Sequence, residues 1–298
     1  TIDFQIGFKQ KLNKSSALTF SAYFKEFKNQ VQVRRYDGVF PNPGEYYSYD
    51  NIDFGTTKGF EFGYELRRTN NIKLNVNYTL QFADGTGSDD ETQLQVVRNS
   101  AENFRNVSAL DFDSRHKINV VVDYRFGSGD DYNGPTTKNG GQILSNFGVN
   151  LLTQVRSGTP YTKQINASDE RAVIPGRVNA EGTINGSRIG WNFNMDLKIN
   201  KSFDVAIKSK KEDKDDTNLS FDIYLRVDNI LGLANVRDVY RFTGSPSDDG
   251  WLGSAQGQVV VNNADNPQSY SDLYKAGVND QTNYSLPRRI FIGASIFF

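Results

Sequence analysis

Few side chains in this sequence can do chemistry. The chain carries one histidine, His116, no cysteine and a formal net charge of −1. His116 follows closely on Asp111 and Asp113, and an imidazole near a carboxylate is the smallest set that could serve as a general acid and base. The same run, Phe112 to His116, also reads as the start of a strand, and catalysis is not expected from it. Acidic clusters at Asp89, Asp90, Glu91 and at Asp248, Asp249 offer the oxygen ligands that calcium takes, but their spacing matches no defined binding loop. They read as solvated loop surface. With no thiol and a single imidazole, disulfide frameworks, zinc sites and cysteine nucleophiles are excluded or nearly so. The balanced charge gives no ground for a nucleic-acid partner. No cofactor or metal is expected, and the chain is not read as an enzyme.

Aromatic residues are the other candidates. Trp251, Tyr270 and Tyr274 fall in a connection at residues 236–284. Connections beyond about 12–15 residues are usually functional or disordered. Two readings stay open: these rings are exposed for contact with a ligand or partner, or they fold inward as packing. A short helical turn is expected near residues 271–275.

The elements that position these residues are strands. The sequence holds 21 Phe and 15 Tyr at a mean hydropathy of −0.58, an unusual pairing for a globular core. No window approaches the roughly 18 apolar residues of a membrane-spanning helix. Alternation at period two is instead pervasive. From Ile72 to Phe82 apolar residues (Ile72, Leu74, Val76, Tyr78, Leu80, Phe82) alternate without fault with Lys73, Asn75, Asn77, Thr79 and Gln81. That run suits the roughly 9–11 residues of a tilted membrane crossing better than the 5–6 of a soluble strand. Similar rows begin near Ile2, Ala17, Phe60, Lys117, Phe147, Trp191, Leu219 and Arg289, which makes nine long strands. In the closing row Ile290, Ile292, Ala294, Ile296 and Phe298 share a face opposite Arg289, Phe291, Gly293, Ser295 and Phe297.

Short and long connections alternate between these strands. Long ones are expected at about residues 34–51, 83–116, 158–190 and 236–284, and short ones at about 13–16, 67–71, 127–141 and 208–217. Short inner turns and long outer loops are the habit of transmembrane barrels. With Phe298 at the periplasmic rim, every long connection falls outside. The fold class expected is therefore all-β, an antiparallel transmembrane β-barrel segment with its apolar rows on lipid. The polar row Asn192, Asn194, Asp196 and Lys198 would face the lumen, and Trp191, Tyr124, Phe126, Tyr78 and Phe82 would form the aromatic girdles at the two interfaces. A soluble sandwich would need a second layer to cover the apolar face, and no helical period of useful length supplies one. Nine strands leave open edges whose backbone groups cannot stay unpaired in lipid. Residues 1–298 are accordingly expected to be one segment, the C-terminal part of a larger barrel, and Thr1 a processed or truncated start.

Several motifs resemble the C-terminal barrel half of TonB-dependent outer-membrane receptors, particularly the large Bacteroidetes-type proteins (SusC/Oar-like). Gly55, Gly59 and Glu61 resemble the family's G-x-x-x-G-x-E, Phe112 to His116 its F-D-x-R-H, Gly158 to Tyr161 its G-x-P-Y, and Val227 to Leu231 its V-x-N-L-x with Ile230 in place of Leu. The resemblance implies a barrel of about 22 strands in the bacterial outer membrane, surrounding a plug. It implies energy-coupled nutrient uptake, with the N-terminal strands and plug of the same protein, a TonB-type energy-coupling protein and a surface lipoprotein as partners beside the lipid bilayer. Phe298, with Ile296 and Ile292, would be the signal read by the assembly machinery. The alternatives are a non-transporting scaffold that docks surface lipoproteins or a secretion or assembly complex, and a passive porin.

Overall fold

The structure, a computed structural model, describes residues 1–39, 44–99, 102–103, 105–167, 180–207 and 217–297. Nine long strands run β1 (Ile2–Lys11), β2 (Ser16–Val39), β3 (Gly44–Thr69), β4 (Ile72–Gly85), β5 (His116–Arg125), β6 (Phe147–Arg156), β7 (Asn192–Ile207), β8 (Thr217–Asp228) and β9 (Arg289–Phe297). Each pairs antiparallel with the next in chain order, so the sheet is a meander without crossovers. Among the described residues β1 and β9 form its two edges and do not pair with each other. Two-residue strands at Ser108–Ala109, Pro160–Tyr161 and Ser187–Arg188 add small pairings in the connections at one end of the sheet, called outer in keeping with the expected orientation, the end at Asn70 and Asn71 being called inner.

Register gathers the alternating residues onto two faces. Along one row Val122 stands opposite Leu151, Leu151 opposite Leu197, Leu197 opposite Val227 and Val227 opposite Ile290. Among the described residues nothing covers this apolar face: Ile6 is 77% exposed and Ile292 82%. The buried hydrophobic residues, Val33, Ala83, Val97, Leu110, Val239, Val261, Tyr274 and Val278, belong instead to the outer ends and outer connections. An apolar face of this extent that meets no protein is covered by lipid. Lys201 breaks the row near the inner end, where its ammonium lies 5.1 Å from the Phe203 ring centre and donates to the Ile143 carbonyl. Such a side chain lays its stem on apolar surface and lifts its charge to the interface.

The inner turns are built from asparagine. Asn70 and Asn71, both at positive φ (47° and 77°), link β3 to β4; two left-handed residues in succession make the type I′ turn whose twist matches a hairpin. Between β1 and β2 the Asn13 side chain accepts from the Ser15 and Ser16 amides, both at 2.8 Å. The expected turn at 127–141 is longer than anticipated: a 3-10 turn at Gly129–Asp131 is followed by irregular chain up to β6. The charged connection expected at 208–217 lies outside the described residues but for Thr217, which opens β8.

Three outer connections differ from expectation. Residues 34–51, expected as a loop, continue β2 and β3 as a hairpin whose pairing runs up to Val39 and Gly44. At about 3.3 Å per residue, strands of this length reach roughly 80 Å, far more than a crossing needs. The outer part is held by polar and aromatic ladders: Tyr36 stacks on Tyr46, Arg34 pairs with Asp50, and Arg35 with Asp37 and Glu45. Such ladders lack the apolar row by which a strand is recognised. A bulge at Asn29 (φ 58°) shifts the register partway along the hairpin, between Lys28 and Gln30.

The connection at 236–284 holds two helices, α2 (Ala255–Asn262) and α3 (Pro267–Val278), instead of one short turn, and a third, α1 (Leu94–Asn99), lies between β4 and β5. Ser254 caps α2 and Asn266 caps α3, each accepting at 3.0 Å from an amide of the first turn, with Pro267 opening α3.

Candidate functional site

The outer ends of β5 to β9 form a rim on which three of the four sequence motifs fall, and several of their residues there have a structural task. Asp113 is fully buried. Its carboxylate accepts from the Ala83 amide at 3.0 Å and pairs with Arg188, while Arg115 stands 3.6 Å away. The next residue, Ser114, donates to the Ser157 carbonyl at 2.8 Å, and the Ser157 hydroxyl accepts from the His116 amide at 3.0 Å. One acid thus ties the connections on either side of β5 and β6 to the top of β4. Gly158 permits a close crossing, because a Cβ there would meet the Ile189 carbonyl oxygen at 1.9 Å. Gly59 does the same within β3, between Tyr23 and Gln81 of the neighbouring strands, where a Cβ would meet the Leu80 oxygen at 2.2 Å. Asn229, at φ 53°, ends β8: its amide donates to Asp196, and its side chain holds Leu233 and Leu286 backbone groups.

A second pin shapes the mouth. The Asn235 side chain accepts from the Phe193 amide and donates to the Phe193 carbonyl, both at 2.8 Å, and Asn192 donates to the Val236 carbonyl at 3.3 Å. Ser285 and Asn235 bond to each other in both directions. These contacts strap residues 235–237 onto the start of β7 and bring Arg237 to the polar face of the sheet.

Between rim and strap lies a cleft of about 690 Å³. Its walls carry five cations, Lys117, Arg156, Arg226, Arg237 and Arg289, against two carboxylates, Asp196 and Asp228, a formal surplus of three positive charges. Asp228 takes both Nε and Nη2 of Arg226 and also Arg289. Asp196 accepts from the Asn194 side chain and the Asn229 amide. Lys117 and Arg156 are directly opposite each other across the strands, and neither they nor Arg237 has an ion pair among the described residues. Like charges set opposite each other are unfavourable, so this face favours negative charge.

Of the expected lumen residues, Asn192, Asn194 and Asp196 line the cleft, while Lys198 lies deeper, opposite Arg226 and 4.9 Å from the Tyr224 ring centre. Lys117, Arg156 and Arg237 were not among the expected residues; Lys117 and Arg156 sit on polar rows and Arg237 in the connection after β8, and only register and the Asn235 strap bring them together. The girdle candidates fall at opposite ends. Trp191 stacks on His116, which stacks on Tyr78, and the Tyr78 hydroxyl meets His116 Nδ1 at 3.0 Å, all at the outer end. Phe82 lies there too, under Arg115. Tyr124 meets Phe126 edge-on at the inner end. His116 is therefore part of an aromatic stack, and the carboxylate of Asp111 is engaged by Asn185.

Trp251 opens a 3-10 turn at Trp251–Gly253. Tyr274 is only 3% exposed and donates its hydroxyl to Asp249, with Tyr270 stacked on it. Inward packing is thus the reading that holds for Tyr274: a buried hydroxyl needs an acceptor, and Asp249 supplies it. Asp89 accepts from the Glu91 amide and the Thr92 hydroxyl, and Asp248 from the Gly250 amide, so these carboxylates shape turns. Ile292 and Ile296 lie exposed on the apolar face of β9, whereas Phe298 lies outside the described residues.

A family model described as TonB dependent receptor-like, beta-barrel, matches residues 2–230. None of the curated protein sequences compared with the chain matches it. Among solved structures, the crystal structure of the outer membrane transporter YddB from Escherichia coli superposes with a TM-score of 0.50 at 11% identity, over 80% of this chain and 29% of that one. At such identity the likeness speaks for the fold, and this chain spans less than a third of that transporter.

Proposed function

The chain belongs to the TonB-dependent receptor-like β-barrel family, and on that premise we propose that it forms part of the wall of an energy-coupled nutrient transporter. It lies in the bacterial outer membrane. The single observation that carries the reading is the two-faced meander: nine long strands with an uncovered apolar face and, on the reverse, a polar face that ends in a charged mouth. In this reading the edges of β1 and β9 pair with further strands of the same protein, since unpaired backbone groups in lipid cost several kcal/mol each. The polar rows hold a plug, the outer connections receive the nutrient, and a periplasmic energy-coupling protein displaces the plug. Trp191, Phe82 and Tyr78 serve the outer interface and Tyr124 and Phe126 the inner one; the end of β9 serves recognition by the assembly machinery.

The test uses the full-length protein in detergent and in planar bilayers. A plugged transporter leaves the bilayer without steady conductance and is captured by the soluble periplasmic domain of the energy-coupling protein. A steady open-channel current without capture would establish the passive porin instead. The scaffold reading draws on Val259 (60% exposed) and Leu273 (71%), apolar residues on the outer helices α2 and α3. It predicts a closed barrel that is not captured and supports no uptake.

A further inference from the structure

We propose that the cleft at the outer mouth is an anion-binding site that selects a ligand bearing several carboxylate or phosphate groups. The inference rests on the transporter reading and adds a substrate chemistry to it. Lys117 and Arg156 stand directly opposite each other, and Asn192 stands opposite Arg156 on the following strand, so one cross-strand row carries two cations and an amide. Asn192 donates to the Val236 carbonyl, which sets the neighbouring Arg237 beside that row. The two carboxylates of the cleft are occupied elsewhere, Asp228 by Arg226 and Arg289 and Asp196 by Asn194 and the Asn229 amide.

Three cations are therefore left without a counter-charge among the described residues. Strand pairing places Lys117 and Arg156, and the double pin of Asn235 on Phe193 places Arg237. The site is preorganised, so little ordering cost falls on binding. A cleft of about 690 Å³ is of the size that holds a small molecule. Guanidinium groups match carboxylate and phosphate through paired N–H donors, while the ammonium of Lys117 adds a point charge. A neutral sugar or peptide would leave the repulsion between Lys117 and Arg156 unrelieved.

Calorimetry on the full-length protein in detergent tests this, with citrate and pyrophosphate as probes and glucose as the neutral control. Both anions are expected to bind, more weakly as salt is raised, and glucose is not. The double variant Lys117→Gln/Arg156→Gln should lose affinity by roughly tenfold or more for each charge-assisted bond removed. The charge-retaining pair Lys117→Arg/Arg156→Lys should keep most of the affinity, and Lys201→Gln, on the apolar face, should leave it unchanged. Folding of each variant is read from its heat-dependent migration on gels.

Absence of anion binding in the wild type, or equal affinity in the double variant, overturns the proposal. If the cations instead pair with acidic residues of the plug, the wild type binds no anion and the double variant conducts across bilayers, which also overturns it. Capture by the energy-coupling domain is measured on the same samples. Capture retained without anion binding sinks the site alone, whereas loss of both sinks the transporter reading.

Discussion

Asp113 is the residue on which the outer rim depends most. Its side chain is out of solvent and joins Arg188, 75 positions along the chain, to the Ala83 amide. Removing one partner of a buried ion pair leaves the other charge unpaired, at a cost of about 3–5 kcal/mol. Asp113→Ala is expected to lower the midpoint of thermal unfolding in detergent, followed by gel migration, and to expose the connections around residues 105–115 and 180–190 to protease. At the hairpin outside the membrane, hydrogen bonds from the Arg34 guanidinium and then the Asn51 amide hold the Asp50 carboxyl below the usual carboxylate range. A depressed folded-state pKa contributes stability that is present above the unfolded value, near 3.9, and is lost as pH falls through the folded one. Amide protection in the hairpin, with the intrinsic pH dependence of exchange divided out, should accordingly stay constant from pH 7 to about 5 and fall only under stronger acid. In Asp50→Asn that acid-dependent step should vanish.

At the scale of elements, the sheet depends on turns that suit its twist and on ladders that extend it. Asn71 at φ 77° closes the link between β3 and β4, a conformation that a β-branched residue adopts only with strain. Asn71→Val is expected to destabilise by about 1–2 kcal/mol, read from denaturant unfolding, while Asn71→Gly stays near wild type. The hairpin formed by the outer parts of β2 and β3 rests on the connection after β4: the Val33 amide donates to the Asp90 carbonyl, and the buried Gln32 side chain donates to Asp53 and to the Asp89 carbonyl. Replacing residues 30–53 by a short turn should leave the membrane part of the sheet folded, with its heat-dependent migration intact. Protease should then cut near α1 (Leu94–Asn99), whose support is gone; resistance there would show that α1 holds itself.

For the molecule as a whole, lipid takes the place of a second layer. Leu197 lies in the central apolar row between Leu151 and Val227. An arginine near mid-membrane on this face costs about 2–4 kcal/mol, so Leu197→Arg should reduce both stability and yield in the outer membrane. Lys73→Ala, on the polar face, should change stability by no more than about 0.5 kcal/mol. Equal effects at the two positions would mean that the faces have been assigned the wrong way round. The two open edges belong to this scale as well, because whatever pairs β1 and β9 settles the diameter of the barrel and the contents of its lumen.

What the amino-acid order determined by itself was the membrane part: nine strands and which residues share a face. Each is a local property, since a period of two places every side chain on one side or the other and lipid selects each residue separately. The row from Ile72 to Phe82 is legible without any partner strand. The outer hairpin was not legible, because its ladders of Tyr, Arg and Asp are stable only when paired, and read singly they look like loop. The helices α2 and α3 stand on capping and on the Asp249–Tyr274 contact more than on an apolar stripe. The mouth was decided by tertiary structure alone. Lys117 and Arg156 meet through register, Arg237 joins them through Asn235, and the cleft's carboxylates are taken up by neighbours two residues away, Arg226 and Asn194, together with the distant Arg289 and Asn229. Charge in a site is a sum over neighbours, and neighbours are what folding supplies.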